Sequence, residues 1–502
     1  VKSLGKQYIG IDLGTSSIKM GLFDQDLSLQ HGYQQTYQYM NSANGAREID
    51  PNIWFDIVLT GLHQLVKHAR SSDSIAAIGI TGQMHTTVFL DQSGNIVRPA
   101  ILWNDTRTKA LVVGLKKQLN IIRESENAKI VSTGSPLVNL IWLKREEPSH
   151  FKALQHLLMP VDYIVYRLTG HYSTDYCDAS TSSLFDFKQS RWATKICQEF
   201  GIDERILPTI HTSSDVIGEL KFSLANQLGL PSVVKVVAGT GDNAATALAN
   251  KTDQEQQPLI SLGTSGVVVV PNRRHQLKQI GKNIMFKVDA ENESVLTQGV
   301  VQTGAVLNDW WLRSIINTED ADAEQRKIPR RLLGKNTVLF FPHLNGEKTL
   351  YADPNLRGAF IGIGLETTKD NMYLAVLEGL AFGCRQLYEQ MRNCAATNFI
   401  RIVGGGAKST LWLTIFANVF GLPVHKRTVQ REAIDGAVML ALIGDGDNVT
   451  AQAEDDVVIL PDRSLKQAYD VQYQKYLKMA TLLISDALRT GDEEVEKMSS
   501  LS

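Results

Sequence analysis

The first clear periodicity in the chain is the apolar run Tyr8-Ile9-Gly10-Ile11. It breaks at the short polar link Gly14-Thr15-Ser16-Ser17 and resumes as Ile18-Lys19-Met20-Gly21-Leu22-Phe23. Two apolar runs around a tight polar link predict a β-hairpin. Between Asp50 and Arg70 the period changes: Ile53, Ile57, Leu62, Leu65 and Val66 approximate one face of a helix, with Asp50 as its N-cap and Pro51 at its first position. The runs 75–80 and 233–239 read as buried strands. The first leads into the loop Thr81-Gly82-Gln83-Met84-His85, and the second into a glycine turn and a helix whose first turn carries Asp242.

Residues 250–258 are polar, lack an apolar period and end in Pro258, so they read as a linker. The pattern then restarts. Leu259 to Val270 forms a second hairpin signal around Gly263-Thr264-Ser265, and the repeated Leu-Gly-Thr-Ser lies about half the chain from its first copy. A long amphipathic helix is predicted over about 370–393, with Tyr373, Leu377, Leu380, Cys384, Leu387 and Met391 at steps of four and three. Strand, three glycines and helix follow from Ile400. This alternation predicts α/β architecture. The expected organisation is a domain over 1–249, the linker 250–258, a second domain over 259–460 and a helical tail over 461–502 whose charged end frays.

Composition narrows the classes. At 502 residues the chain exceeds one ordinary domain, and its net charge of −2 with no long basic run argues against a nucleic-acid partner. The longest apolar stretches are strand-length, so no membrane span is expected. The first strand follows the N-terminus too closely for a signal peptide, and Cys177, Cys197, Cys384 and Cys394 show no CxxC spacing. The expectation is a cytoplasmic protein with free thiols.

The loops carry the candidate chemistry. A Gly-Thr-Ser turn presents several backbone N–H groups and hydroxyls in little space, which suits phosphate oxygens, although one copy alone is also ordinary hairpin chemistry. Asp12 stands beside the first turn, where a carboxylate near phosphate calls for a cation such as Mg²⁺; the second copy has Ser261 at the matching place. Asp242 is either a helix-capping residue or a general base for a hydroxyl. "GQMHTT" (82–87) follows a strand, and "LWNDTR" (102–107) offers an aromatic wall, an amide, a carboxylate and a guanidinium, a set that suits a polyhydroxy ligand. "VGGGAKS" (403–409) lacks the spacing of a Walker P-loop and reads as a glycine-rich strand-to-helix turn.

Taken in order, "YIGIDLGTS", "GQMH", "RPAILWNDTR", "GDNAA", "SLGTSGV", "FPHLNGEKT", "AVLEGLA" and "GGGAKS" resemble the FGGY carbohydrate kinases, and within them the xylulokinase branch, from about Tyr8 to about Gly446. The resemblance implies two actin-like (ribonuclease H-like) domains with a cleft between them, the first holding a sugar and the second most of ATP. It implies Asp242 as general base and Asn243, Met84, His85, Trp103 and Asp105 on the sugar side. Asp12 would stand beside Mg²⁺ and the phosphates, Thr15 and Thr264 in the two phosphate loops, and Gly304, Gly405 and Gly406 at the nucleotide. The implied activity is ATP-dependent phosphorylation of D-xylulose to D-xylulose 5-phosphate, with sugar and ATP as partners; monomer and homodimer both stay open.

Departures bear on the sugar. Thr86 follows His85 where the branch has glycine, the segment 132–143 is short, and "STSSLFDF" (180–187) and "QGVVQTG" (298–304) lean toward the gluconate kinases. A fourth departure, Asn418 in place of an aspartate, lies away from the sugar segments. A gluconate or other polyol kinase is therefore the alternative within the family. A non-catalytic sugar sensor is the alternative outside it, disfavoured because Asp242 is present. An actin-like or chaperone-type ATPase would have no use for the sugar-side residues.

Overall fold

A computed structural model of the chain describes residues 5–231, 233–252, 256–273, 277, 280–351, 353, 355–392, 396–448 and 456–484. The chain packs as two compact units. The first combines Val1–Lys251 with Lys282–Leu296 and Arg431–Ala453; the second combines Thr252–Gly281, Thr297–Gln430 and Glu454–Ser502.

The first unit is built on a sheet whose strands lie in the order Val216–Glu219, Lys235–Val237, Ile75–Gly82, Gln7–Leu13, Ser17–Asp24 and Leu29–Thr36. The predicted hairpin is there, with Leu13 opposite Ile18 across the turn. Gln7–Leu13 pairs in parallel with Ile75–Gly82, which pairs in parallel with Lys235–Val237. In the second unit Gly266–Asn272 pairs antiparallel with Leu259–Leu262; that strand pairs in parallel with Ile400–Val403, and Ile400–Val403 in parallel with Val424–Arg427. Asp456–Ile459 closes the edge antiparallel. Each unit thus starts with a hairpin whose first strand joins a parallel run, as the repeated pattern predicts.

Local sequence explains the helices. Pro51–Lys67 starts where expected, and the Asp50 carboxylate accepts the Asn52 N–H at 2.9 Å. Its buried stripe is Trp54, Ile57, Val58, Leu62 and Leu65, while Ile53, expected on that face, is 38% exposed. The large Trp54 and Phe55 side chains take the core positions and rotate the apolar face by one residue. The long helix runs Lys369–Met391, with all six predicted positions buried. Its N-cap Thr368 and Asn371 bond reciprocally. The tail is helical over Arg463–Ile484. Its charged end, the centre of the linker at 253–255, and Cys394 lie outside the described residues. Cys177, Cys197 and Cys384 are buried free thiols. Among the described residues, no helix is long and apolar enough to cross a membrane.

The two units depart from a single boundary at 250–258 in two places, Lys282–Leu296 and Arg431–Ala453, both of which belong to the first unit. Helix Ala433–Gly444, late in the chain, packs in the first unit. Three glycines permit this. A Cβ on Gly79 would lie 1.8 Å from the Ala437 carbonyl oxygen, one on Gly10 2.6 Å from Val438 Cγ2, and one on Gly436 2.1 Å from the Ala245 carbonyl oxygen. The late helix therefore lies directly on the central strands and on helix Asp242–Ala249, supporting the helix that presents Asp242.

Gly79→Ala should destabilise the protein by about 1–3 kcal/mol or more, because the clash is with backbone that cannot rotate away. Gly114→Ala, in helix Lys109–Ile121 with open space around its Cα, should be neutral or stabilising by up to about 1 kcal/mol. Equilibrium denaturation of both variants checks the pair; equal midpoints would show that the late helix does not depend on this close approach.

Candidate active site

The first hairpin ends in a charged corner. Asp12 pairs with Lys19 across the antiparallel strands and with Thr81 in the parallel neighbour. The Lys19 ammonium lies 2.8 Å from the Glu432 carboxylate, a bond that raises the lysine's pKa. Burial, and then the charge of Asp242, push Asp12 up to about 7, with Lys19 opposing. Asp12 and Asp242 thus belong to one electrostatic site although 230 residues of chain separate them.

Asp242 is the first residue of helix Asp242–Ala249. The two-residue strand Thr240–Gly241 delivers it by pairing with Thr81 and Gly82. One carboxylate oxygen accepts the Asn243 N–H at 2.7 Å, and Thr246 Oγ1 donates to the Asp242 carbonyl at 2.8 Å. The helix start is expected to keep this carboxylate ionised. Burial acts against it and outweighs the backbone N–H groups, raising its pKa to about 6, still below neutrality.

The expected sugar-side residues gather around this point. Asn243 Nδ2 donates to Met84 Sδ at 3.8 Å, and Met84 also lies where a side chain on Gly241 would go. His85 sits in the left-handed region at φ 69°, with Nδ1 3.0 Å from the Thr181 carbonyl oxygen; that oxygen only accepts, so Nδ1 carries a proton. Trp103 is 41% exposed, and its Nε1 donates to Thr15 Oγ1 at 2.9 Å, joining the Trp103 loop to the first Gly-Thr-Ser turn. Asp105 is placed differently. It is fully buried, and its oxygens accept the Arg47 N–H at 2.7 Å and the Arg107 N–H and guanidinium at 2.7–3.1 Å. Asp105 fixes the loop that carries Trp103 and leaves no oxygen facing outward.

Behind Asp242 lies a group that the sequence reading missed. Asp162, Asp175 and Asp178 are buried together, and burial raises each pKa. Asp175 accepts from Ser213 Oγ at 2.7 Å and from the Asp178 N–H at 2.9 Å, whereas neither Asp178 oxygen has a hydrogen-bond partner. No basic side chain pairs with these three among the described residues. In the sequence, two of these aspartates, Asp175 and Asp178, stand close together in "STDYCDAST", and Asp162 lies well before them.

In the second unit the residues expected at the nucleotide lie at or beside a cavity of about 660 Å³. Leu262, Gly263 and Thr264 of the second hairpin line it, with Gly405, Gly406, Lys408 and Ser409 of the glycine turn. Gly304 lies under the hairpin: its N–H donates to the Thr264 carbonyl at 2.8 Å, and a Cβ there would lie 2.1 Å from Ser265 backbone. It holds the turn in place, while Ala305 and Val306 form the wall. Gly405 faces open space, and Gly406 packs on Leu262 and Trp412. Asn308 and Gln325, which sequence alone did not mark, also line the cavity. Ser409 Oγ donates to Gln325 Oε1 (2.6 Å), Gln325 Nε2 to Tyr373 Oη (3.3 Å), and Tyr373 Oη to Asn308 Oδ1 (2.5 Å). The relay orients both amides at the wall.

Comparison with known proteins gives the family. The chain is 34% identical over 442 residues to the xylulose kinase of Staphylococcus xylosus, covering 87% of this chain and 90% of that protein. It is 31% identical over 443 residues to the xylulose kinase of Bacillus subtilis, covering 88% and 89%. Among solved structures, a xyloylose kinase from Brucella ovis superposes with a TM-score of 0.88 at 30% identity, over 95% of this chain and 99% of that one. Residues 7–249 match the N-terminal domain of the FGGY family of carbohydrate kinases and residues 259–444 its C-terminal domain, and the chain belongs to that family.

Proposed function

We propose that this FGGY carbohydrate kinase phosphorylates D-xylulose at its terminal hydroxyl, giving D-xylulose 5-phosphate. The observation that carries the reading is Asp242: a half-buried carboxylate at a helix start, with Asn243 against Met84 and the charge of Asp12 close by. In this assignment Asp242 takes the proton of the sugar hydroxyl as its oxygen bonds to the γ-phosphorus of ATP. The bond from that phosphorus to the β,γ-bridging oxygen breaks, and ADP leaves. Such transfer is mainly positioning and electrostatics. Thr15 and its hairpin, together with the Thr264 hairpin and Gly405-Gly406, are assigned to the phosphates and nucleotide.

Mg²⁺ fits the corner at Asp12. A carboxylate raised by burial and by a neighbouring carboxylate, with its partner Lys19 already on Glu432, has a deficit of positive charge. Bound there, the ion would neutralise charge on the phosphates; Asp12 is the residue that would hold it.

The relatives named xylulose kinases favour D-xylulose as substrate. Gluconate, the alternative, is an anion and needs a cationic partner, whereas the charged groups that feel Asp242 are the carboxylates of Asp12 and Asp178, and Lys19 is already on Glu432. A coupled ADP-release screen should give a higher kcat/KM for D-xylulose than for gluconate. A tenfold preference for gluconate would overturn the sugar assignment and leave the kinase assignment standing.

Asp242→Asn keeps the side chain's size but cannot accept the proton. Turnover should fall about 10²–10⁴-fold, with sugar Kd kept within about tenfold because Met84, His85, Trp103 and Asn243 remain. A purely capping role predicts the opposite split: a lower melting temperature and near-normal turnover. Retention of more than about a tenth of wild-type kcat would remove Asp242 from the chemistry.

The pH profile follows from the same group. Asp242 must be ionised to act, so kcat/KM should decline as pH falls through about 6. Stability runs the other way. A carboxyl whose folded pKa is raised above its unfolded value destabilises the fold above that pKa, and the penalty is relieved as pH falls through about 6 toward the unfolded value. Asp242→Asn should therefore melt at or above the wild-type temperature at pH 7.5, a shift that calorimetry reads directly.

A further inference from the structure

The threonine that follows His85 closes a ring of hydrogen bonds between the sugar loop and the phosphate hairpin. Gln83 N–H donates to the Leu13 carbonyl at 2.9 Å. Thr86 Oγ1 donates to Gln83 Oε1 at 3.0 Å and accepts the Trp103 N–H at 3.0 Å. Trp103 Nε1 then donates to Thr15 Oγ1 at 2.9 Å, two residues beyond Leu13. Tyr37 braces the ring from inside: its hydroxyl donates to the Gly14 carbonyl and accepts from Gln83 Nε2 at 3.5 Å. Gln83 and Thr86 are buried, and Trp103 is the one member with a large exposed surface.

Donor and acceptor counting gives the ring a direction. An indole N–H only donates, so Thr15 Oγ1 must accept from Trp103, and its own proton is turned away from the indole. Phosphate oxygens only accept. Trp103 therefore holds the Thr15 hydroxyl in the donor role that a phosphate requires. Thr86 does the same one step back: its hydroxyl uses both its proton and a lone pair, and so sets the backbone from which the indole extends. A glycine at position 86 offers neither.

We propose that Thr86 and the Trp103 indole N–H are positioning residues that couple occupancy of the sugar site to the phosphate hairpin. A sugar seated against Trp103 fixes the indole, the indole fixes the Thr15 hydroxyl, and the hairpin then binds the triphosphate more tightly. The proposal rests on Trp103 being the sugar-side wall. By linkage, nucleotide tightens the sugar by the same factor.

The test is calorimetric binding of the non-hydrolysable β,γ-imido analogue of ATP, with Mg²⁺, in the presence and absence of saturating D-xylulose. Wild type should bind the analogue at least about fivefold more tightly with sugar, the lower end of usual coupling factors. Thr86→Val and Trp103→Phe should each reduce that factor below about twofold, and Thr86→Ser, which keeps the hydroxyl, should retain most of it, all within the range such couplings span. A merely structural role for Thr86 would lower the melting temperature of Thr86→Val and leave the factor unchanged. That result overturns the proposal, as does a wild type that binds sugar and analogue independently. If Thr86→Val does not fold, Trp103→Phe, altered at a half-exposed position, decides alone. If wild type binds gluconate and not D-xylulose, the sugar assignment fails and the same factor is measured with gluconate. Binding of neither sugar overturns the sugar reading and the coupling together.

Discussion

The constraint on which the rest of the first unit turns is the partial burial of two carboxylates, Asp12 and Asp242, close enough to feel each other's charge. Ionised carboxylates avoid such places unless a cation or hydrogen bonds compensate them. Here compensation is partial. Lys19 opposes the rise at Asp12 but is bonded to Glu432, and Asp242 has the backbone N–H of Asn243. The three buried aspartates behind add negative charge when ionised, and Asp178 feels Asp242 directly. The result is a corner short of positive charge, with a carboxylate raised to about 6: able to accept a proton and still ionised at neutral pH.

Holding such a pair in place takes packing that local preference does not supply. Asp242 starts a helix of only eight residues, too short to be stable by itself. It is fixed at one end by the Thr240–Gly241 strand and along its side by helix Ala433–Gly444, which approaches to backbone contact because position 436 is glycine. The same late helix rests on Gly10 and Gly79, in the strands that carry Asp12 and lead to the Gln83–His85 loop. One element, arriving from far along the chain, thus supports both carboxylates and the sugar loop.

How much of this was legible depended on whether the signal was local. The hairpins, the Asp50–Pro51 helix start and the six-residue stripe of the long helix were written in turn chemistry and period, and they stand in the structure. The positions of Asp12, Thr15, Thr264 and Asp242 at strand ends and turns were legible too, because glycine-rich polar turns interrupt apolar runs. The return of residues 431–453 to the first unit was not. An apolar period says that a helix is covered, never by what, and its only traces are three glycines in unrelated stretches. Ile53 was misplaced because Trp54 and Phe55 compete for the same face with more area to bury. Asp105 looked like a ligand residue by type; only coordinates reveal that Arg107 and the Arg47 backbone occupy its oxygens. Asn308 and Gln325 are ordinary amides in sequence and acquire meaning through Tyr373 and Ser409.

The two hairpins show what duplication keeps and what it discards. Both place a Gly-Thr-Ser turn at the end of the strand that joins the parallel run, so both present the same small cradle of N–H groups and hydroxyls. The residue one pleat before differs. Asp12 stands opposite Lys19 in the first unit, whereas Ser261 stands opposite Val267 in the second. An ionisable pair at that position gives the first hairpin a charge that responds to a proton or a metal. A serine opposite a valine gives the second only shape and hydrogen bonding. The difference between the halves therefore needs no change of backbone: the turn sequence is common to both, and the residue facing Lys19 or Val267 makes one corner charged and the other neutral.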